Sequence, residues 1–165
     1  MGKLIIIRGN SSSGKTAAAR ELQRRFGPGT LLVCQDAVRR EMLMVPDGPG
    51  TAALPLLTEL LRYGGRNCKV VILEGILRAA WYGELFAAAR EEFGDRIFAY
   101  YYDLPFEETV RRHAVSANAG SFGEAELRRW WAPQDLIGTI PEKRLTEKLT
   151  LADAVEQIYA DAAAE

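Results

Sequence analysis

Four short apolar runs and a short fifth strand pattern, separated by longer stretches of helical periodicity, organise this chain. The first is Leu4-Ile5-Ile6-Ile7, the second Thr30–Cys34, and the third Lys69–Leu73, which ends at Glu74-Gly75. A fourth runs from Arg96 to Tyr102 and ends at Asp103, and a short fifth lies near Lys143–Thr146. The first four are almost continuously apolar or β-branched, as strands covered on both faces require. Between them, helical patterns occupy 17–26, 36–44, 51–63, 82–93, 105–114, 124–131 and 151–163. Pro105 suits a first helical turn, where its missing N–H costs nothing. Alternation of strand and helix predicts an α/β fold: a three-layer α/β/α sandwich on a five-stranded parallel sheet. Ligands of such sheets bind at the carboxyl ends of the strands. Residues 9–16, Asp36, Glu74 and Asp103 all fall at that edge.

Length and composition narrow the picture without deciding it. A chain of 165 residues reads as one domain, 1–165, large enough for a real core. A hydrophobic share of 48% with 26% charged residues is that of an ordinary globular protein. The formal net charge of −1 supplies no global basic field for a nucleic-acid partner. No apolar run approaches the ~20 residues of a membrane span. The chain enters its first strand without a secretory leader pattern, so a cytoplasmic location is the expectation. Cys34 and Cys68 are isolated and read as small core residues in a reducing compartment. Oligomeric state leaves no mark in the sequence.

The decisive chemistry is Gly9-Asn10-Ser11-Ser12-Ser13-Gly14-Lys15-Thr16, a complete G-x-x-x-x-G-K-T loop between the first strand and first helix. In that context backbone N–H groups point at phosphate oxygens, and the helix N-terminus favours negative charge. Lys15 is placed to reach the β- and γ-phosphates, and the Thr16 hydroxyl to ligate Mg²⁺. ATP and Mg²⁺ are therefore the expected cofactors, and the fold is expected to be that of a P-loop NTPase.

A phosphate loop specifies a nucleotide but not a reaction. The next carboxylate is Asp36, three residues before Arg39 on one helical face. Asp36 fits two roles: orienting and deprotonating an acceptor hydroxyl, or capping its helix. Arg39 is placed to hold an acceptor phosphate or the charge that builds on the transferred group. Arg40 reads as a solvated neighbour. Glu74 ends an apolar strand in the Walker B manner, where an acid holds Mg²⁺ or positions the acceptor; a structural hydrogen bond is the rival role. Asp103 is expected to cap the helix from Pro105. Arg78 is placed to line the acceptor cleft, with Trp81 and Tyr82 beside it as packing.

The loop 9–16, followed by a strand and then Asp36-x-x-Arg39, resembles the kinase domain of phage polynucleotide kinase, chloramphenicol phosphotransferase and small P-loop kinases. The stretch Phe122–Asp135 also resembles a recurring segment of bacterial kinases. The resemblance implies phosphoryl transfer, with Asp36 as general base and Arg39 on acceptor-side phosphate. It implies a helical lid, about 112–135, whose first arginine is Arg112. The second basic residue of such lids is replaced here by Ser116, so Arg128 or Arg129 is expected to supply that charge. His113 reads as a local hydrogen-bonding residue. The adenine is expected between Arg112 and the loop near Lys148–Thr150.

The leading expectation is an ATP- and Mg²⁺-dependent kinase phosphorylating a hydroxyl of a small molecule, such as a nucleoside or antibiotic-like metabolite. A polynucleotide 5′-hydroxyl kinase is the alternative, favoured by Asp36–Arg39 and disfavoured by the acidic balance. A P-loop NTPase or regulator without an acceptor is the alternative of another class. The guanine-specifying Asn-Lys-x-Asp of GTPases does not occur.

Overall fold

A computed structural model describes residues 2–164. Its elements follow the apolar pattern closely. They are β1 (Lys3–Gly9), α1 (Lys15–Phe26), β2 (Leu31–Cys34), α2 (Gln35–Ala37), α3 (Ala53–Asn67) and β3 (Val70–Gly75). Then come α4 (Gly83–Phe93), β4 (Ile97–Tyr102), α5 (Phe106–Ala114), α6 (Glu124–Trp130), β5 (Glu142–Leu145) and α7 (Leu151–Ala163). The strands form one sheet in the order β2-β3-β1-β4-β5, and every neighbouring pair is parallel.

Alternation along β1 divides the core into two layers. Ile5 and Ile7 face Ala18, Ala19 and Leu22 of α1 and Val155, Ile158 and Ala162 of α7. Leu4 and Ile6 face the other way, onto Leu57 and Leu61 of α3 and Leu85, Phe86 and Phe93 of α4. A period-2 strand sandwiched between period-3.6 helices therefore has no solvent face, which explains why β1 reads as unbroken Leu-Ile. α7 is entered through a reciprocal cap: Asp153 N donates to Thr150 Oγ1 at 3.1 Å and Thr150 N to Asp153 Oδ2 at 3.0 Å. Among the described residues, no helix is long and apolar enough to cross a membrane.

Two local expectations are revised. The single helix expected over 36–44 is only a turn of α-helix; Val38–Leu43 continue as a wider π-helical turn. That turn closes where Arg39 O accepts the N–H groups of both Met44 and Val45, with Met44 in the left-handed region at φ 54°. Asp103 does not cap α5. The N-cap position is Pro105, without a side-chain bond, and Asp103 instead pairs with Arg144 at 3.3 Å.

One charge lies deep in this apolar framework. Arg8, the last residue of β1 before the phosphate loop, is fully buried. It donates to Asp135 Oδ2 and Glu142 Oε1, each at 2.8 Å, and twice to Leu77 O, at 2.9 and 3.1 Å. The guanidinium lies between the rings of Phe86 and Tyr101, 5.5 and 5.6 Å from their centroids. Arg8 thus joins β1, the loop after β3, the segment after α6 and β5. Removing one member of a buried pair leaves the other charged and unpaired, at a cost of about 3–5 kcal/mol. Arg8→Met is expected to lower stability by that order, because the Glu142 side chain is also buried. Urea unfolding checks this, and a wild-type midpoint in Arg8→Met would contradict it.

Candidate active site

The phosphate loop takes its shape from two glycines. Gly9 has φ 148°, and a Cβ there would sit 2.8 Å from Tyr102 Cβ and 3.0 Å from Ser13 Oγ. Gly14, the N-cap of α1, has φ 104°. Both backbone shapes strain a residue with a Cβ. Within the loop, Asn10 O is the internal anchor: it accepts from Lys15 Nζ and Ser13 Oγ, each at 2.7 Å. Lys15 Nζ also reaches Ser13 Oγ at 3.3 Å.

The Lys15 side chain is buried, and burial pushes its ammonium below the ordinary value of 10.5 against the opposing pull of Glu74 and Asp36. An incoming phosphate would favour the charged form and raise it again. Between the two values, nucleotide binding is therefore expected to take up a proton. Calorimetry in buffers of different ionisation enthalpy measures that uptake, which should vanish in Lys15→Met.

Thr16 and Glu74 meet across the sheet edge, with Thr16 Oγ1 donating to Glu74 Oε1 at 2.9 Å. A hydroxyl and a carboxylate at that distance form a hard oxygen pair suited to Mg²⁺, which keeps several further positions for phosphate and water. The residues present fit the ion. Cys34 stands opposite Glu74 in the β2–β3 register. Burial, then the Glu74 carboxylate, pushes its thiol up to about 11. Cys34 therefore stays a neutral thiol and not a nucleophile.

Asp36 lies at the start of the helix after β2, but it is no cap. The N-cap is Cys34, and no side-chain cap bond is made. Instead Asp36 Oδ1 accepts from Arg39 Nη2 at 2.7 Å and from Arg40 Nε at 3.0 Å. Its Oδ2 receives no hydrogen bond from the described residues. Arg39 is largely covered, also bonds Val45 O at 3.4 Å, and its buried Nε has no partner among the described residues. Nearby, Gln35 Nε2 donates to Tyr82 Oη at 2.8 Å, and that hydroxyl donates to Asp47 Oδ1 at 2.6 Å. This relay pins the loop after the π-turn to α4. Arg78 donates to Trp130 O and lies over the Trp81 ring at 5.3 Å.

The segment 112–135 folds over the phosphate loop. Arg112 Nη1 donates to Ser13 O at 2.6 Å, and Arg112 Nε to Glu108 Oε1 at 2.9 Å. Hydrogen bonds from Arg111 and Arg112 hold the Glu108 carboxyl down at about 2. His113 is also a local bonding residue, between Ser12 Oγ at 3.3 Å and Phe122 O at 2.6 Å. Arg128 instead packs over Phe106 at 4.1 Å and pairs with Glu124 at 3.5 Å, while Arg129 lies over Trp130 at 5.9 Å. Of the three arginines expected at the phosphates, only Arg112 touches the loop in this arrangement. Beside the loop, a cleft of about 370 Å³ is lined by Asn10, Tyr102, Leu104, Trp131, Pro133 and Thr146, among others.

Arg8, Asp135 and the Gln35–Tyr82–Asp47 relay were not among the expected site residues, and Asn10 was expected as part of the phosphate loop and not through its side-chain bonds to Ala132. The sequence does carry one signal for Arg8: an arginine inside an apolar strand directly before a phosphate loop needs buried partners.

No protein-family model matches the chain, and no curated protein matches it in sequence. Solved structures do. The gluconokinase from Sinorhizobium meliloti is 17% identical, with a TM-score of 0.68, covering 99% of this chain and 92% of that one. The APS kinase of Mycobacterium tuberculosis, solved with AMPPNP and APS, is 19% identical, with a TM-score of 0.69 and coverages of 99% and 98%. Shikimate kinase from Acinetobacter baumannii, solved with shikimate, is 17% identical, with a TM-score of 0.59 and coverages of 99% and 94%. The chain has the P-loop NTPase α/β fold, in the form adopted by small P-loop kinases.

Proposed function

We propose that this chain is an ATP- and Mg²⁺-dependent kinase that transfers the γ-phosphate to a hydroxyl of a small molecule, such as a nucleoside or antibiotic-like metabolite. One observation carries the reading: a complete phosphate loop shares its sheet edge with Asp36, a carboxylate with one oxygen unengaged by protein. The structural neighbours, a gluconokinase, an APS kinase and a shikimate kinase, support a small acceptor.

In this reading residues 112–135 form the lid of a single domain. The backbone of Gly9–Thr16 would cradle the phosphates, and Lys15 and Arg112 would neutralise charge on the transferring group. Mg²⁺ held by Thr16 and Glu74 would screen the phosphate oxygens from the attacking one. Asp36 would take the proton of the acceptor hydroxyl as its oxygen bonds to the γ-phosphorus and the bond to the β–γ bridging oxygen breaks. Arg39 and Arg78 would orient the acceptor and attract an anionic group on it. The cleft between Asn10 and the loop after β5 would take the planar base of the donor. Arg128 and Arg129 would approach the phosphates only through a further lid movement.

The test is transfer of labelled γ-phosphate with Mg²⁺, offered in parallel to nucleosides, hydroxylated metabolites and a 5′-hydroxyl oligonucleotide. Label on a small molecule supports the reading. Label on the oligonucleotide moves the assignment to a nucleic-acid end kinase and gives Arg39 the terminal phosphate. Acceptor-independent release of phosphate, with no labelled product, favours an NTPase.

A further inference from the structure

The lid has a second attachment, at its trailing end, and it is made by a side chain of the phosphate loop. Asn10 Nδ2 donates to Ala132 O at 2.7 Å, and Asn10 Oδ1 accepts from Ala132 N at 2.8 Å. The amide thus pairs with one residue through both its donor and its acceptor, which fixes its orientation. The same residue's carbonyl holds Lys15 Nζ and Ser13 Oγ. Phosphate binding by such a loop uses its backbone N–H groups, so the Asn10 side chain is free for this other work.

The residues around Ala132 carry the connection further. Trp130 O accepts from Arg78. Asp135 Oδ2 accepts from Arg8 and from Ala79 N at 3.0 Å, and Tyr101 Oη accepts from Asp135 N at 3.2 Å. The segment Trp130–Asp135 therefore touches the loop carrying Arg78 at both ends, through Trp130 O and Asp135, and the phosphate loop between them, through Ala132.

We propose that Asn10 is a positioning residue that couples the state of Lys15 to the trailing end of the lid. Its carbonyl registers whether Lys15 is held within the loop or drawn to a phosphate, and its side chain passes that difference to Ala132 and Trp131. The inference rests on the kinase reading for its purpose: the donor's arrival would seat the lid and shut water out of the transfer site. The coupling itself is a property of these contacts and is separately measurable.

The chain has three tryptophans, Trp81, Trp130 and Trp131. In a chain carrying Trp81→Phe and Trp130→Phe, Trp131 alone reports on the latch. Tripolyphosphate with Mg²⁺, which carries no base to enter the cleft lined by Trp131, is expected to reduce acrylamide quenching of Trp131. Asn10→Ala is expected to abolish that change at tripolyphosphate concentrations that calorimetry shows to be saturating. The opposite partner is tested by Ala132→Pro, which removes the N–H that Asn10 Oδ1 accepts. Trp131 already has φ −71° and ψ 132°, a backbone shape that precedes proline without strain. Asn10→Ala and Ala132→Pro together are expected to do no more than Asn10→Ala alone, since Ala132→Pro removes one of the two bonds that Asn10→Ala removes. A double variant that goes beyond Asn10→Ala, or a tripolyphosphate-dependent change that survives in Asn10→Ala, would overturn the coupling. A chain that shows this pattern but labels no acceptor would instead retain the coupling and lose the kinase reading.

Discussion

Lys15→Ala is expected to remove phosphoryl transfer while leaving the fold intact or slightly firmer. The two effects have opposite signs because the ammonium serves the ligand and not the core. It is buried, its charged form is disfavoured there, and its protein partners are an Asn10 carbonyl and a serine hydroxyl. Without it, Asn10 O still accepts from Ser13 Oγ, so no carbonyl is orphaned. Losing a buried charge whose hydrogen-bond partners are neutral relieves desolvation, which offsets the lost attraction to Glu74 and Asp36, so the fold changes little. Transfer loses a preorganised cation aimed at the phosphates, an interaction whose removal typically slows catalysis by about 10²–10³-fold or more. Labelled transfer and urea unfolding, run on the same preparation, check both halves. Full turnover in Lys15→Ala would remove the phosphate-loop assignment.

Asp36→Asn is expected to slow transfer by about 10²–10⁴-fold with nucleotide affinity almost unchanged. The substitution keeps the shape of the side chain and removes the basic oxygen. The structure sharpens this expectation because Asp36 does not cap its helix. Its folded-state partners are Arg39 and Arg40, and the carboxylate is more than half exposed. Exposed pairs of this kind contribute about 0–1 kcal/mol, so the variant should melt close to wild type. Transfer kinetics, AMPPNP calorimetry and thermal unfolding separate the roles. Joint loss of folding and nucleotide binding would make Asp36 structural.

What the sequence revealed and what it hid follow different physics. β1, the phosphate loop and α1 are contiguous, so an apolar run, two glycines and a helical pattern carry nearly all the information about them. The parallel sheet was legible for the same reason in β1, β3 and β4, which declare their double burial in their own composition, whereas β5, Glu142–Leu145, has two exposed residues. Asp36 was legible as a site residue through position alone, but its partners were not. An aspartate before a helix looks like a cap until the backbone is known, and here the helix begins one residue earlier. The lid was harder. Arg112 and Arg128 look alike in sequence; the difference is that Arg128 finds the Phe106 face and Glu124, while Arg112 finds Ser13 O. Arg8 and Asp135 are 127 residues apart and meet only because β1 and the segment after α6 share a neighbour in Tyr101. No local pattern encodes such a meeting.

The π-turn over Val38–Leu43 has a consequence for how this protein changes over time. Such turns hold one more residue per turn than an α-helix and behave as a local insertion that the rest of the fold absorbs. Met42, Leu43 and Met44 project from it into solvent and carry no part of the core. Deleting one residue there would rotate the side chains that follow within the turn by about a hundred degrees, and the loop from Val45 to Ala52 would absorb the shift. The change would fall on the turn that carries Arg39 and not on the phosphate loop. In the kinase reading, such a step would alter the acceptor side and leave the donor side as it is.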